Sequence, residues 1–291
     1  MQRRSTARVM AVSAVALIGM LGIQGCSSDS KNPVALSVTA SEPSAGKYAF
    51  DVPATLDGGV MKIELKNTGK EAHELQFAHV KDGTTQDQFL KEVLDTGGGA
   101  TQPPIPDYLL GAGGVGAIAP GATATVTQKF DAGSFIFFCT LGDGDQVHYK
   151  NGMLGTTTLK GDKGKGDLPK ADASVVARDY AFDISGLKAG SNTVSFENTG
   201  KELHQAFFAP LAQGATFDEA KAAFLSQDQS GPPPIQFEKA TALSVIQGGA
   251  KLVESGFALE KGTYIVVCFI TDKAGGAPHF TKGMFQQLDV S

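Results

Sequence analysis

Two stretches of the chain decide its fold: residues 133–139 read Gly-Ser-Phe-Ile-Phe-Phe-Cys, and residues 262–268 read Gly-Thr-Tyr-Ile-Val-Val-Cys. Each starts at a turn glycine, continues as an apolar run and ends at a cysteine. A continuous apolar run of this length is typical of a strand that is buried on both faces. The sequence therefore predicts two equivalent buried strands, each with a cysteine at its end.

The residues that carry chemistry recur around both strands. At offsets of 131, 129, 131 and 131 residues, the set His73, Cys139, His148 and Met153 recurs as His204, Cys268, His279 and Met284. Four of the five histidines of the chain fall in this pattern, so chance is a poor explanation. Two imidazoles, a thiolate and a thioether are the ligands of a mononuclear blue-copper centre. The pattern predicts one copper ion in each repeat.

The duplication extends beyond these eight residues. Tyr-Ala-Phe-Asp at residues 48–51 recurs at 180–183, and Asn-Thr-Gly-Lys-Glu at 67–71 recurs at 198–202. Apolar and polar residues alternate in residues 60–65 and 193–197, as in half-buried strands. Thr216 with Glu219, and Thr85 in the first copy, mark the start of one helix per repeat. The chain is predicted to be all-β, with two tandem β-sandwich domains, each carrying a short inserted helix.

The N-terminus predicts a lipoprotein signal peptide. Three arginines precede an apolar segment that is too short to span a bilayer comfortably. The segment ends in Ile-Gln-Gly-Cys26, which resembles the bacterial lipobox, and this resemblance implies that Cys26 is lipidated. An ordinary secretory signal that ends near a cysteine is the alternative. The chain is therefore expected outside the cytoplasm, anchored by lipid to the cell membrane.

The composition of the chain supports the following division. We predict a signal peptide at residues 1–25, a flexible tether at 26–45, a first domain at 46–160, a Gly/Lys/Asp-rich linker at 161–172 and a second domain at 173–291. Removal of the signal peptide removes three arginines and no acidic residue, so the net charge changes from −5 to −8. An acidic protein is a poor candidate for binding nucleic acid.

On these residues, the chain resembles a tandem pair of cupredoxins, the plastocyanin and azurin class of blue-copper proteins. The resemblance implies Greek-key sandwiches in which two histidines and a cysteine bind copper, with Met153 and Met284 as axial ligands. It also implies one-electron transfer with a redox partner protein at the membrane surface. One departure stands out: eight residues separate Cys139 from His148, and ten separate Cys268 from His279, where cupredoxins have about two to four.

Three alternatives remain open. In an exported protein Cys139 and Cys268 could form a disulfide instead of binding metal. The domains could also handle or store copper without a redox role, or serve as metal-free binding modules. The third alternative is the chemistry of a multicopper oxidase or a nitrite reductase. Because only His79 lies outside the repeated pattern, too few histidines remain for further copper sites, and we predict that the protein is not an enzyme.

Overall fold

The computed structural model describes residues 32–96, 101–142, 144–226 and 234–291. Each repeat contributes eight strands in the same order. The strands of the first repeat are β1 (Val34–Ser44), β2 (Lys47–Phe50), β3 (Thr55–Asn67), β4 (His73–Val80), β5 (Leu109–Ile118), β6 (Thr123–Phe130), β7 (Gly133–Phe138) and β8 (Leu154–Gly164). Those of the second are β9 (Ala173–Arg178), β10 (Ala181–Ser185), β11 (Gly190–Asn198), β12 (His204–Pro210), β13 (Thr241–Ile246), β14 (Lys251–Leu259), β15 (Gly262–Val267) and β16 (Phe285–Val290).

The second repeat is a sandwich of two four-stranded layers. One layer has the order β10-β9-β11-β14, and the other has the order β13-β12-β15-β16. The first repeat places its equivalent strands in the same way, as β2-β1-β3-β6 and β5-β4-β7-β8, but a parallel pairing of β3 with β8 joins its two layers. The interior of both sandwiches is filled by the apolar residues that alternate along these strands.

The inserted helices lie where the sequence predicted them. In the second repeat, α2 (Phe217–Leu225) begins with a capping box in which Thr216 and Glu219 exchange side-chain and backbone hydrogen bonds. In the first repeat, Thr85 accepts a hydrogen bond from Gln88 N and caps the short α1 (Gln86–Phe89). A single π-helical segment (Leu90–Leu94) continues from α1. No helix in the described part of the chain has the length and apolarity needed to cross a bilayer.

The structure differs from the sequence prediction at two boundaries. The predicted tether, residues 26–45, contains strand β1, whose residues 34–40 pair in parallel with β3. Leu36, Val38 and Ala40 alternate with exposed residues and are buried, a pattern that the Ser-, Asn- and Pro-rich composition of the segment concealed. The predicted linker is also shorter, because β8 continues to Gly164, which lies opposite Gly59.

The two repeats share a continuous sheet. The equivalent strands β6 and β14 pair antiparallel, with Thr127 opposite Val253 and Val126 opposite Glu254. The equivalent strands β5 and β13 also meet, and Thr241 Oγ1 donates a hydrogen bond of 2.9 Å to the carbonyl oxygen of Ala117. At Gly116 a Cβ atom would lie 1.7 Å from the carbonyl oxygen of Ala242, so only glycine permits this approach. The repeats therefore meet through equivalent surfaces.

A buried carboxyl group lies on this shared sheet. Glu254 of β14 is 1% exposed and lies between Val126 of β6 and Val194 of β11. Its Oε2 atom has no hydrogen-bond partner among the described residues. Burial without a countercharge raises the pKa of Glu254 to about 8, because desolvation penalises the charged form. The carboxyl group is therefore neutral at pH 7.

We expect this group to make the stability of the protein fall as the pH rises. Between its ordinary pKa of 4.5 and the raised value of about 8, the folded state binds a proton that the unfolded state has released. Relative to Glu254→Gln, the wild-type free energy of unfolding should fall by about 1.4 kcal/mol per pH unit in this range. Urea unfolding at several pH values measures the difference, with the exposed Glu64→Gln as control. A difference that does not change with pH would contradict the prediction.

Candidate metal centres

The first histidine of each set is positioned by a buried asparagine. Asn67 Nδ2 donates to the carbonyl oxygen of Glu71 at 2.7 Å, and its Oδ1 accepts from Gly69 N at 2.9 Å. Asn198 makes the equivalent bonds to Glu202 and Gly200. These bonds fold the Asn-Thr-Gly-Lys-Glu segment into a tight turn. The histidine that follows the turn is the first residue of β4 or β12, and it points into the sandwich with no exposed surface.

The cysteine and the second histidine are joined by backbone hydrogen bonds. Cys139 follows β7, donates its N–H to the carbonyl oxygen of Met153 and accepts from Tyr149 N, each at 3.1 Å. Met153 N in turn donates to the carbonyl oxygen of His148 at 3.0 Å. Equivalent bonds in the second repeat join Cys268 to Met284 and Phe280, and Met284 to His279. Each methionine is fully buried.

The long loops return their histidines to the cysteines. His148 N donates to the carbonyl oxygen of Leu141 at 2.9 Å, and His279 N donates to that of Ile270 at 2.8 Å. Each bond joins the second residue after the cysteine to the histidine, so it closes the long loop at its base. The additional loop residues therefore do not move the histidine away from the cysteine.

Three potential ligand atoms converge in each repeat. In the first, His73 Nδ1 lies 3.1 Å from His148 Nδ1, which lies 3.4 Å from Cys139 Sγ. In the second, the two Nδ1 atoms of His204 and His279 are 3.1 Å apart, and they lie 3.8 and 3.6 Å from Cys268 Sγ. Ligands bound to one metal ion at about 2.0–2.3 Å are spaced in this way. The structure thus brings together six of the eight predicted ligands as two groups, with each methionine bonded through its backbone to the same group.

The donor atoms fit a cation. In each centre the Nε2 atoms of both imidazoles face a carboxylate, so the Nε2 atoms carry the protons. The Nδ1 atoms then present two lone pairs to each other at 3.1 Å, an arrangement that a metal ion between them stabilises. Two imidazoles and one thiolate suit copper.

Burial controls the protonation of the ligands in the metal-free protein. Desolvation, helped by the neighbouring His204, lowers the pKa of His279 to about 4. Desolvation also lowers the pKa of His204 and of His73. It raises the pKa of Cys268 to about 12 and raises that of Cys139 as well. Burial thus disfavours the charged forms of these ligands in the metal-free protein.

The alternative of a disulfide is not realised, because Cys139 and Cys268 are both free thiols and each lies in the core of its own repeat. The remaining histidine, His79, lies on β4 and stacks on Phe135 with 4.6 Å between the ring centroids. It takes part in neither centre. The predicted lipidation site, Cys26, lies outside the described residues.

Sequence reasoning missed the four carboxylates that face the imidazoles: Glu42, Glu71, Asp179 and Asp272. It also missed a cavity of about 300 Å³ between the repeats. The walls of this cavity include neighbours in sequence of ligands from both centres, among them Glu74, Thr140, Gln205 and Phe269. The two centres therefore approach the same cavity from opposite sides.

No protein-family model matches the chain, and no curated protein matches it. Several solved structures do. A multicopper oxidase is 15% identical over 88% of each chain, with a TM-score of 0.27. Reduced auracyanin from Roseiflexus castenholzii is 20% identical over 45% of this chain and 99% of its own, with a TM-score of 0.30. A copper nitrite reductase from Nitrosomonas europaea is 17% identical over 89% and 94% of the two chains, with a TM-score of 0.26.

The order of the described strands agrees with the predicted all-β fold of two Greek-key sandwiches. The buried His–Cys–His groups are consistent with copper binding.

The prediction that the protein is not an enzyme is wrong, because copper oxidases and nitrite reductases are among the matched structures. The prediction rested on a count of histidines within this chain. That count by itself does not exclude enzymatic activity.

Copper uptake should release the thiol protons. At pH 8 both cysteines are protonated in the metal-free protein, because burial raises the pKa of each, whereas a copper-bound cysteine is a thiolate. Anaerobic addition of Cu(II) in weakly buffered solution should release one proton for each cysteine that binds. Cys268→Ser should release half as much as the wild type. Equal release from both proteins would contradict the assignment of Cys268 as a ligand.

Proposed function

We propose that the protein is a membrane-anchored, extracytoplasmic copper protein that transfers single electrons through two type 1 copper sites. Each site would use two histidines and a cysteine, with the methionine as a weak axial ligand: His73, Cys139, His148 and Met153 in the first repeat, and His204, Cys268, His279 and Met284 in the second. The observation that carries the proposal is the convergence of two Nδ1 atoms and one Sγ atom in each buried core. Bound copper would supply a one-electron couple.

The surroundings of the ligands suit rapid electron transfer, which requires little rearrangement when the metal changes oxidation state. All six atoms that converge belong to side chains with at most 1% of their surface exposed. They are held by strand ends and by the backbone bonds of the cysteine and methionine. Glu74 N donates to Cys139 Sγ at 3.5 Å, and Gln205 N and Ile270 N point at Cys268 Sγ. Such N–H groups stabilise a thiolate and tune the potential of its copper.

A lipid on Cys26 would hold the protein at the membrane, where it would exchange electrons with its partner protein. Cys26 precedes Val34, the first residue of β1, by eight residues. A chain of that length spans at most about 28 Å when fully extended. A diacylated Cys26 would therefore keep the first sandwich close to the bilayer surface, where we place its redox partner protein.

Visible absorption tests the copper centres. Cu(II)-loaded protein should show intense thiolate-to-copper charge-transfer bands. Cys139→Ser and Cys268→Ser should each remove only the share of the absorbance that belongs to the altered repeat, and the double variant should remove all of it. A colourless wild type with both thiols free would reject type 1 copper.

Redox cycling separates electron transfer from copper handling. An electron carrier should be reduced and reoxidised repeatedly with an unchanged copper content. Loss of copper to a chelator on each reduction, with little loss from the oxidised protein, would instead favour copper delivery or storage.

Cell fractionation tests the anchor. Cys26→Ser should move the exported protein from the membrane fraction to the soluble extracytoplasmic fraction, because the acyl chains would be lost. Its copper spectrum should be unchanged, since the variant leaves both repeats intact. A variant that stays in the membrane fraction would contradict lipidation at Cys26.

A further inference from the structure

Every imidazole of the two centres has a carboxylate beside its outward nitrogen. His148 Nε2 lies 3.1 Å from Glu71 Oε2, and His73 Nε2 lies 3.4 Å from Glu42 Oε1. In the second repeat the distances from Nε2 to the carboxylate oxygen are 2.8 Å for His204 with Asp179 and 3.1 Å for His279 with Asp272. Three of the contacts are hydrogen bonds, whereas the longest, His73 with Glu42, is an electrostatic contact.

The carboxylate that faces the first histidine occupies an equivalent place in the two repeats. Ala40 lies opposite Asn67 and Ala177 lies opposite Asn198, so Glu42 and Asp179 each lie two residues beyond the residue that faces the asparagine. Five additional residues between Glu42 and Tyr48 conceal this equivalence in the sequence. Asp272 lies in the long loop of the second repeat, whereas among the described residues His148 faces Glu71 of the preceding turn.

Glu71 has a counterpart in Glu202, but Glu202 has another role: its carboxylate accepts a hydrogen bond from Lys273 N at 2.6 Å. The two centres thus share the negative charge at each Nε2 atom. The residue that faces the first histidine is equivalent in the two repeats, whereas the residue that faces the second comes from the turn in the first repeat and from the long loop in the second.

Other bonds hold the carboxylates in place. Glu42 Oε1 accepts hydrogen bonds from Lys70 N and Glu71 N at 2.7 and 2.8 Å. Asp179 accepts equivalent bonds from Lys201 N and Glu202 N. These two carboxylates are therefore fixed relative to the imidazoles that they face.

Two tyrosines fix the remaining carboxylates. Tyr48 donates its hydroxyl to Glu71 at 3.2 Å, and its ring stacks on His148 with 4.0 Å between the centroids. Tyr180 donates to Asp272 at 2.8 Å, and Lys282 forms an ion pair with the same carboxylate. His148 is thereby held by Glu71 at its Nε2 atom and by the ring of Tyr48 on its face.

We infer that Glu42, Glu71, Asp179 and Asp272 are positioning residues that set the tautomer of the four histidines and lower the reduction potential of both copper centres. Glu71, Asp179 and Asp272 accept a hydrogen bond from the Nε2–H of their imidazoles, and the charge of Glu42 favours the same tautomer of His73, so the Nδ1 lone pairs are left free for the metal. Its negative charge stabilises Cu(II) more than Cu(I), because the oxidised ion carries the greater positive charge. The part of this inference that concerns the potential rests on the proposed copper function.

The tautomer is tested without copper. In ¹⁵N NMR spectra of the metal-free protein at pH 8, the Nε2 atoms of His148, His204 and His279 should be protonated. In Glu71→Ala the Nε2–H population of His148 should fall, whereas in Glu71→Gln the amide oxygen still accepts this proton and the population should be retained. Unchanged spectra in Glu71→Ala would overturn the tautomer role.

The potential is tested on copper-loaded protein. Glu71→Gln should raise the potential of the first centre and Asp179→Asn that of the second, because each keeps a hydrogen-bond acceptor and loses the charge. A tenfold rise in the ratio of Cu(I) to Cu(II) at fixed applied potential, equal to 59 mV for one electron, is the expected order of the shift. The matched control is the exposed Asp218→Asn, which should leave both potentials unchanged.

The outcomes separate the two hypotheses. If the wild type binds no type 1 copper, the proposed function fails, and the NMR comparison still decides the tautomer role. If the centres are blue but Glu71→Gln and Asp179→Asn retain wild-type potentials, the carboxylates do not tune the centres and the inference on potential is overturned. If Glu71→Ala lowers only stability while Glu71→Gln matches the wild type in potential, the role of Glu71 is structural.

Discussion

The centres depend on the pair of backbone hydrogen bonds made by each cysteine. Cys139 N donates to Met153, and Cys139 O accepts from Tyr149, so the end of β7 is tied to the helical turn that carries His148. The same pair of bonds ties Cys268 to the turn that carries His279. Each cysteine is held at the end of a buried strand, and these bonds restrain the loop that follows it. The position of the second imidazole, and hence the geometry of each metal centre, follows from them.

The pairing of β6 with β14 joins the two repeats and covers a sheet edge of each. Two separate sandwiches would each expose an edge strand at this position, and pairing the two edges satisfies their N–H and C=O groups. The contact is reinforced by Gln76, whose Oε1 accepts hydrogen bonds from Ser244 Oγ and Val245 N of the other repeat. Gln76 also donates to Glu74, the residue after the ligand His73. The interface between the repeats is thus continuous with the surroundings of the first centre.

Much of the fold could be predicted from local patterns. The buried runs that end at the cysteines, the alternation of residues 60–65 and the capping residues Thr85 and Thr216 all predicted elements that the structure contains. Strand β1 escaped prediction because polar residues fill its exposed positions and resemble the composition of a flexible tether. The joining of the repeats into one sheet also escaped, because pairing between distant strands leaves no periodic signal in either one.

The sequence by itself determined the ligand types, their order and their duplication. Scarce residue types that recur at a nearly constant offset identify equivalent sites without any knowledge of the fold. Only the tertiary structure decided whether those ligands meet. The hydrogen bonds from His148 to Leu141 and from His279 to Ile270 close the long loops, and no spacing rule could show that. The carboxylates at the Nε2 atoms were likewise visible only in three dimensions. Glu42 and Asp179 occupy equivalent places beside β3 and β11, but five additional residues between Glu42 and Tyr48 conceal this in the sequence, and only the pairing of the strands reveals it.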